Sequence, residues 1–353
     1  MQSQDLTAVV LAAGVGSRLD PLTQQLPKPL VPFVNRPVME HILSLLKRHG
    51  ITRSVSNLHH LPEKVRRHFG KGTAFGIDMS FVDEPELSGD AGGVRACREY
   101  ITDDTFLVVM GDLITDLDVS YVLNQHREKG AIATIALKQV EDVERFGVAV
   151  LDQSGFINAF QEKPRRADAL SRLASTGIYV FDREIFDHLP KNGPIGFGRN
   201  LFPYLIEKGL PLLGVEVWGY WSDVGTIAQY RSSTLDALEG LVDVELAGTS
   251  FENGWIGSHS EVSSKARLNG PVLLGANSRI ADDVVINGYA VIGDNCVIER
   301  GAELQDVIIW ADTVVGARAN LRASVIGMEC VVPAGVRVLD TTIVNADDIR
   351  AAA

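Results

Sequence analysis

The chain has 353 residues, 46% of them hydrophobic, and a formal net charge of −12. The length suggests two domains and the apolar share is that of a globular chain with a real core; the acidic balance argues against nonspecific nucleic-acid binding, which needs a basic face, and leaves room for a local basic phosphate pocket. No apolar run approaches the roughly 18 residues of a membrane span, the opening MQSQDLTAVV lacks the basic region of a signal peptide, and Cys97, Cys296 and Cys330 form no CxxC pair, which fits a reducing cytoplasm without structural disulfides or zinc.

Residues 8–11 read as a buried strand, apolar on both faces, that breaks into Ala12-Ala13-Gly14-Val15-Gly16. Glycines directly after a strand let the backbone bend sharply and approach a ligand, and exposed N–H groups in such a turn cradle phosphate oxygens. Arg18 follows with a planar fork able to reach the same oxygens. Lys28 stands between Pro27 and Pro29 and is predicted to be extended and stiff. The loop is not a P-loop, since no Lys stands at the GxxxxGK[ST] spacing, nor a dinucleotide fingerprint, since Leu19 occupies the third glycine position. A plain strand-to-helix turn with two solvated basic residues is the alternative reading of the glycines alone.

The spacing predicts helices over 38–49, 62–69, 93–101 and 119–129, and strands over 53–58, 77–82, 106–110 and 131–137. This alternation argues a mostly parallel sheet flanked by helices, with ligands at the carboxyl ends of the strands. Both the glycine loop and Asp112 follow strands directly. After 137 the texture changes to short strands at 146–151, 157–161 and 178–181, then helices near 201–208 and 227–238.

The last hundred residues are a repeat. Apolar residues fall every six positions from Ile256 through Val262, Leu268, Leu274, Ile280, Ile286, Ile292 and Ile298 to Leu304; after one-residue slips the series resumes at Ile309 and again at Ile326. Small residues such as Ser278, Cys296, Thr313 and Cys330 stand four places after many of them. This is the hexapeptide pattern of a parallel β-helix, about 15 hexads in roughly five coils, and it makes Cys296 and Cys330 core fillers rather than reactive thiols. The expected division is 1–240 for the α/β domain, 241–254 for a linker and 255–345 for the β-helix.

The string LAAGVGSRLDPLTQQLPKPLVP over 11–32 resembles the signature of the sugar-1-phosphate nucleotidyltransferases (NDP-sugar pyrophosphorylases), with Ser17 for the usual Thr and Asp20 in place of a basic or apolar residue. The resemblance spans nearly the whole chain. It implies a Rossmann-like nucleotidyltransferase domain followed by a left-handed parallel β-helix, and a reaction in which a sugar-1-phosphate attacks the α-phosphorus of a nucleoside triphosphate and releases pyrophosphate.

Such chemistry needs no nucleophilic side chain, and no Ser-His-Asp or Cys-His set is evident. It rests on positioning and on neutralising charge, so a divalent cation, Mg²⁺, is expected. By the resemblance, Arg18, Lys28 and Asp112 are catalytic, and Leu11, Ala12, Ala13, Gly14 and Gly16 hold the nucleotide. Asp112 and Asp223, in WSDVGT, share the metal; read alone, each is equally a turn or helix cap. Glu162 and Lys163, in EKP, take the sugar hydroxyls and its phosphate, with Gly147, Thr176 and Gly177 alongside. The segment 84–93 resembles the base-reading loop through Gly89 and Gly92, with Asp90 where the family has Thr; a carboxylate there would suit guanine. The string 28–52 resembles the mannose-1-phosphate guanylyltransferase-like bacterial branch most.

GTP with mannose-1-phosphate is therefore the first expectation. Glucose-1-phosphate with UTP or dTTP is the alternative, and a non-catalytic regulatory subunit of the superfamily is another, although that should have lost Arg18, Lys28 or Asp112. A β-helix that transfers acetyl groups is disfavoured, since His259 is the sole His of the repeat. The expected partners are the two substrates and further copies of the chain in a homo-oligomer, with neither nucleic acid nor membrane, in the cytoplasm.

Overall fold

The computed structural model describes residues 6–345. In chain order the elements of its first two thirds are β1 Thr7–Leu11, β2 Pro32–Phe33, β3 Arg36–Pro37, α1 Val38–Arg48, β4 Arg53–Leu58, α2 Pro62–Phe69, β5 Asp78–Asp83, α3 Asp90–Ala96, β6 Thr105–Met110, β7 Leu113–Thr115 and α4 Val119–Lys129. Then come β8 Ala133–Gln139, β9 Gly147–Leu151, β10 Ile157–Glu162, β11 Leu173–Asp182, α5 Phe202–Glu207, β12 Leu212–Glu216, β13 Trp221–Asp223 and α6 Ile227–Leu238. No helix among the described residues is long and apolar enough to cross a membrane.

The chain divides into two compact units. One comprises residues up to 15, 27–29 and 38–223; the other comprises 16–26, 30–37 and the chain from 224 onward. The division falls after Asp223, earlier than the boundary near 240 expected from the sequence, and the expected linker contributes a strand, Thr249–Phe251, antiparallel to Gly254–Ile256.

The first unit is built on a nine-stranded mixed sheet. Strands β6, β1, β4 and β5 run parallel, as the strand–helix alternation requires. Beyond β6 the mostly parallel expectation gives way: β11 is antiparallel to both β6 and β8, and β9 and β10 form an antiparallel pair. Short strands with no helix between them return as hairpins, and a parallel return would need a long crossover. The parallel strands are buried on both faces, with Val9, Val55, Phe106 and Val108 in one core with Ile135 and Phe181. Helix α4 begins where the Asp118 carboxylate accepts the Tyr121 N–H at 2.9 Å and ends at Gly130, φ 61°. Helix α3 starts at Asp90 instead of residue 93, since an acidic residue favours the first turn of a helix.

The second unit is dominated by a parallel β-helix. Successive coils stack Trp255 on Leu273, Val291, Ile308, Val325 and Thr342, so one coil takes 18 residues and, from Val291 on, 17. The shorter corner is the slip read between Leu304 and Ile309, and it appears as a register shift between Asn287 and Ala290. The hexad residues form the interior: Ile280, Ile286, Ile292, Ile298, Leu304, Ile309, Val315, Leu321, Ile326, Val332, Val338 and Ile343 are all buried in one cluster. Cys296 and Cys330 lie in the same core, and burial pushes the Cys296 thiol up to about 11, which leaves it inert.

Candidate active site

The site builds up from the carboxyl ends of β1, β4, β5 and β6 in the first unit. Gly111 follows β6, and its N–H donates to the Leu11 carbonyl at 2.8 Å. A Cβ at Gly111 would stand 2.8 Å from that same oxygen, so only glycine lets the two strand ends meet there. Asp112, the next residue, is thereby set beside the glycine turn. It forms an ion pair with Lys28. Lys28 is not extended as predicted: it opens a 3₁₀ turn, Lys28–Leu30. Pro29 suits the second position of such a turn, because its ring fixes φ near the helical value, and the residue before a proline is biased against helix without being barred from it.

The second acidic residue arrives by ladder register. Strand β13 runs antiparallel to β7, with Asp223 opposite Leu113, the neighbour of Asp112. The ladder thus brings Asp223 opposite the residue that follows Asp112 in the chain. Arg145 donates to Asp223 at 2.7 Å and its guanidinium lies over the Phe146 ring, 5.1 Å from the centroid. Phe146 in turn packs on Trp221 at 4.8 Å between centroids, and the Trp221 indole N–H donates to the Thr176 carbonyl at 2.7 Å. Arg145 carries no motif and was missed from the sequence; its position just before the FGV string was the available signal.

A buried polar relay ties the glycine turn to the loop after β5. The Ala12 N–H donates to Asn57 Oδ1 at 2.8 Å, and Asn57 Nδ2 donates to Glu84 Oε1 at 2.5 Å. The other Glu84 oxygen accepts from the Ser88 N–H and hydroxyl, at 3.0 and 2.5 Å. Asn57 went unnoticed in the sequence, because a lone Asn near a strand end has no motif around it. Leu11, Ala12 and Ala13 are buried, and Gly14 is exposed at the tip of the turn. Gly16, φ 77°, and Arg18, exposed on the 3₁₀ turn Ser17–Leu19, belong to the second unit.

Asp90 is bound into the protein through one carboxylate oxygen. Its Oδ1 takes the Phe197 N–H at 2.6 Å and the Ala91 N–H at 2.7 Å, tying the loop to the π-helical turn Phe197–Leu201. Burial raises its carboxyl above the usual range, and those N–H donors offset part of the rise. Gly92 is likewise engaged, its N–H donating to the Ile195 carbonyl at 3.1 Å, and Gly89, φ 81°, packs against the same carbonyl.

The EKP segment closes the far side. Burial raises the Glu162 carboxyl, with Lys163 opposing and Asp90 adding to the rise. A Cβ at Gly147 would fall 2.4 Å from the Phe160 ring and 3.0 Å from Glu162 Oε2. That glycine makes room for the protein's own Phe160 ring and Glu162. Lys163 is exposed and, at φ 49°, lies in the left-handed region and not in the extended form predicted before a proline; its N–H donates to the Phe146 carbonyl at 3.1 Å, which fixes this turn. Gly177 packs on Met110, and the Thr176 hydroxyl donates to the Ala136 carbonyl at 2.9 Å, so it is spent on the sheet.

A family model described as nucleotidyl transferase matches residues 7–240. The chain belongs to that family. Residues 268–351 match a second model, described as GMPPB C-terminal domain. Among curated relatives, a UTP–glucose-1-phosphate uridylyltransferase of Synechocystis sp. is 35% identical over 94% of this chain and 90% of its own length. A mannose-1-phosphate guanylyltransferase of Mycobacterium tuberculosis is 30% identical over 86% of this chain and 84% of its own. A solved structure of a putative glucose-1-phosphate thymidylyltransferase from Bacillus anthracis superposes with TM-score 0.61 at 26% identity, covering 68% of this chain and 96% of that one. This nucleotidyltransferase is thus an enzyme of the sugar-1-phosphate class, and Lys28, Asp112 and Asp223 of its signature strings all lie in the first unit, Lys28 paired with Asp112.

Among the described residues of the enzyme, no group of three or more His, Cys, Asp or Glu is arranged to hold a metal ion. Asp112 and Asp223 are two. Magnesium takes one or two carboxylates and completes its shell with water and phosphate oxygens, and the chemistry of these two hard oxygen donors suits it.

Proposed function

We propose that the enzyme joins a nucleoside triphosphate to a hexose-1-phosphate, with UTP and glucose-1-phosphate as the first pair and GTP and mannose-1-phosphate as the second. A phosphate oxygen of the sugar-1-phosphate attacks the α-phosphorus, the bond between the α-phosphorus and its bridging oxygen breaks, and pyrophosphate departs with the electron pair. The observation that supports the reading is a pair of ion pairs, Lys28 with Asp112 and Arg145 with Asp223, whose second carboxylate stands opposite Leu113, the residue after Asp112.

Asp112 and Asp223 would hold Mg²⁺, which when bound neutralises phosphate charge and so permits two anions to approach. The chain's own part is positioning and charge. The two carboxylates and two cations balance one another, so phosphates and a divalent cation can enter by exchanging partners, without leaving a buried charge alone. Lys28, largely buried, meets the triphosphate, and its charge opposes what develops on the leaving pyrophosphate. Lys163 grips the phosphate of the sugar-1-phosphate as a point charge, and Glu162 accepts from sugar hydroxyls. The relay from Ala12 through Asn57 to Glu84 holds the phosphate turn in fixed relation to the base loop.

The order of the two pairs follows from Asp90 and from the relatives. The case for guanine rests on the likeness of residues 28–52 to the guanylyltransferase branch and on Asp90, whose Oδ1 takes the Phe197 and Ala91 N–H groups. The 35% identical relative uses UTP and glucose-1-phosphate; the C-terminal match and the Mycobacterium tuberculosis relative support the second pair. Neither substrate requires a membrane or nucleic acid, and a cytoplasmic homo-oligomer built through the β-helix remains the reading for location and assembly. The test is pyrophosphate release from purified protein across GTP, UTP, dTTP and ATP, each with mannose-1-phosphate and glucose-1-phosphate. Turnover only with GTP and mannose-1-phosphate would reverse the order, and none with any pair would favour a regulatory subunit.

A further inference from the structure

Segment 84–93 is held at its two ends by different parts of the first unit. Its first end goes with the phosphate turn, since Glu84 joins Asn57 and Ser88 joins Glu84. Its second end goes with the turn before α5: Gly92 donates to the Ile195 carbonyl at 3.1 Å, and Asp90 takes the Phe197 N–H at 2.6 Å. Phe197 packs on Tyr179 of β11, 4.7 Å between ring centroids. The next residue, Gly198, lies against the EKP segment, where a Cβ would fall 2.2 Å from Glu162 Oε2. Asp90 and Glu162 therefore meet consecutive residues of one turn.

The charges agree with this placement. Burial raises both carboxyls, Lys163 opposes the rise in each, and Asp90 adds to that of Glu162. The Tyr179 phenol is pushed up by burial first, then by Asp90 and Glu162. Both N–H groups that bind Asp90 go to Oδ1, so among the described residues Oδ2 takes no hydrogen bond from another residue. An ionised carboxylate only accepts. Two carboxylates within reach of each other's charge repel; hydroxyl donors shared between them relieve what Lys163 does not.

We propose that Asp90 is a specificity residue for the sugar and not for the base: beside Glu162 it is a second carboxylate that accepts a hydroxyl of the hexose. This rests on the sugar-side role read above for Glu162 and Lys163. It gives a purpose to the residue at which this chain departs from its family's Thr.

The test uses the full-length protein and the most active substrate pair of the panel. Asp90→Asn keeps an oxygen for the Phe197 and Ala91 N–H groups and replaces the other acceptor with a donor. It should raise KM for the hexose-1-phosphate about ten- to a hundredfold, the scale of a hydrogen bond to a charged group, and leave KM for the triphosphate within about twofold of native. A series of monodeoxy hexose-1-phosphates then forms a cycle with the variant. For one hydroxyl, the loss in kcat/KM that its removal causes in the native enzyme should vanish in Asp90→Asn. Asp90→Thr carries the same expectations and stands in if Asp90→Asn does not fold. A changed preference among triphosphates with the hexose KM unaltered, equal weakening of both substrates, or the same deoxy losses in both proteins overturns the proposal. If the native protein turns over no pair, the hexose-1-phosphate reading has failed by itself; calorimetric titration with glucose-1-phosphate then decides. Binding about tenfold weaker in Asp90→Asn upholds the role of Asp90, and equal or absent binding overturns it.

Discussion

Asn57 and Glu84 are joined by a buried hydrogen bond of 2.5 Å at the carboxyl ends of the parallel neighbours β4 and β5. Since Asn57 also accepts the Ala12 N–H, one carboxamide sets the spacing between the phosphate turn and the base loop. Asn57→Leu keeps the volume and strands both partners. Leaving buried groups unsatisfied costs about 1–3 kcal/mol, so urea unfolding should show a loss of that size. KM for the triphosphate should rise with little change in KM for the sugar-1-phosphate. A variant with the stability loss and an unchanged triphosphate KM would reduce the relay to a purely structural one.

Asp112→Asn should lower turnover by orders of magnitude while the far-ultraviolet circular dichroism stays native. The ion pair with Lys28 is lost together with a metal ligand. Excess chelator should abolish activity in the native enzyme, and Mg²⁺ should restore it. Full activity in chelator would sink the metal assignment to Asp112 and Asp223.

Lys163 and Lys28 should separate the two substrates. Lys163 is half exposed, so solvent screening reduces what its charge is worth. Lys163→Ala is expected to raise KM for the sugar-1-phosphate about tenfold and to leave that of the triphosphate unchanged. Lys28→Ala should instead depress kcat and use of the triphosphate. Direct titration of each ligand is the sharper measurement, because KM follows affinity only when chemistry is slow. Equal weakening of both ligands by Lys163→Ala would refute the division.

Stability should fall as pH drops below about 6.5, the ordinary histidine value. His126, buried beside Thr134 and Asp182, has its pKa lowered: burial disfavours the charged ring and outweighs the nearby Asp182. The unfolded chain therefore binds the proton first, and stability is lost between the unfolded and the folded pKa. His49, also lowered chiefly by burial, adds to the same slope. Asp90 and Glu162 act oppositely and at lower pH. Their raised values keep protons on the native state, and that stability is lost as pH rises through their folded values. Replacing His126 with Gln should flatten the acid limb of a pH series of urea midpoints, and an unaltered slope would refute the assignment.

Several contacts could not have been read from local pattern. The hexad spacing determined the β-helix interior down to individual residues, including both slips, because each inward position repeats a local rule of side-chain alternation. The helices α1, α4 and α6 were legible for the same reason, as periodic apolar faces closed by caps or glycines. The signature strings carried Lys28, Asp112, Asp223 and Lys163 as candidates, since each stands in a short motif.

What the tertiary structure alone decided is which of these meet and what they do there. Asp223 comes opposite Leu113, the residue after Asp112, only through the β7–β13 ladder, which no local pattern specifies. Arg145 and Asn57 gain their roles from neighbours distant in sequence. Asp90 ties its loop to Phe197, a neighbour distant in sequence. The hairpin after Lys28 belongs with the β-helix because Tyr230 and Trp310 satisfy each other around it. Local periodicity is written in one stretch of chain; the pairing of buried polar groups depends on strand register and packing, which only the whole fold specifies.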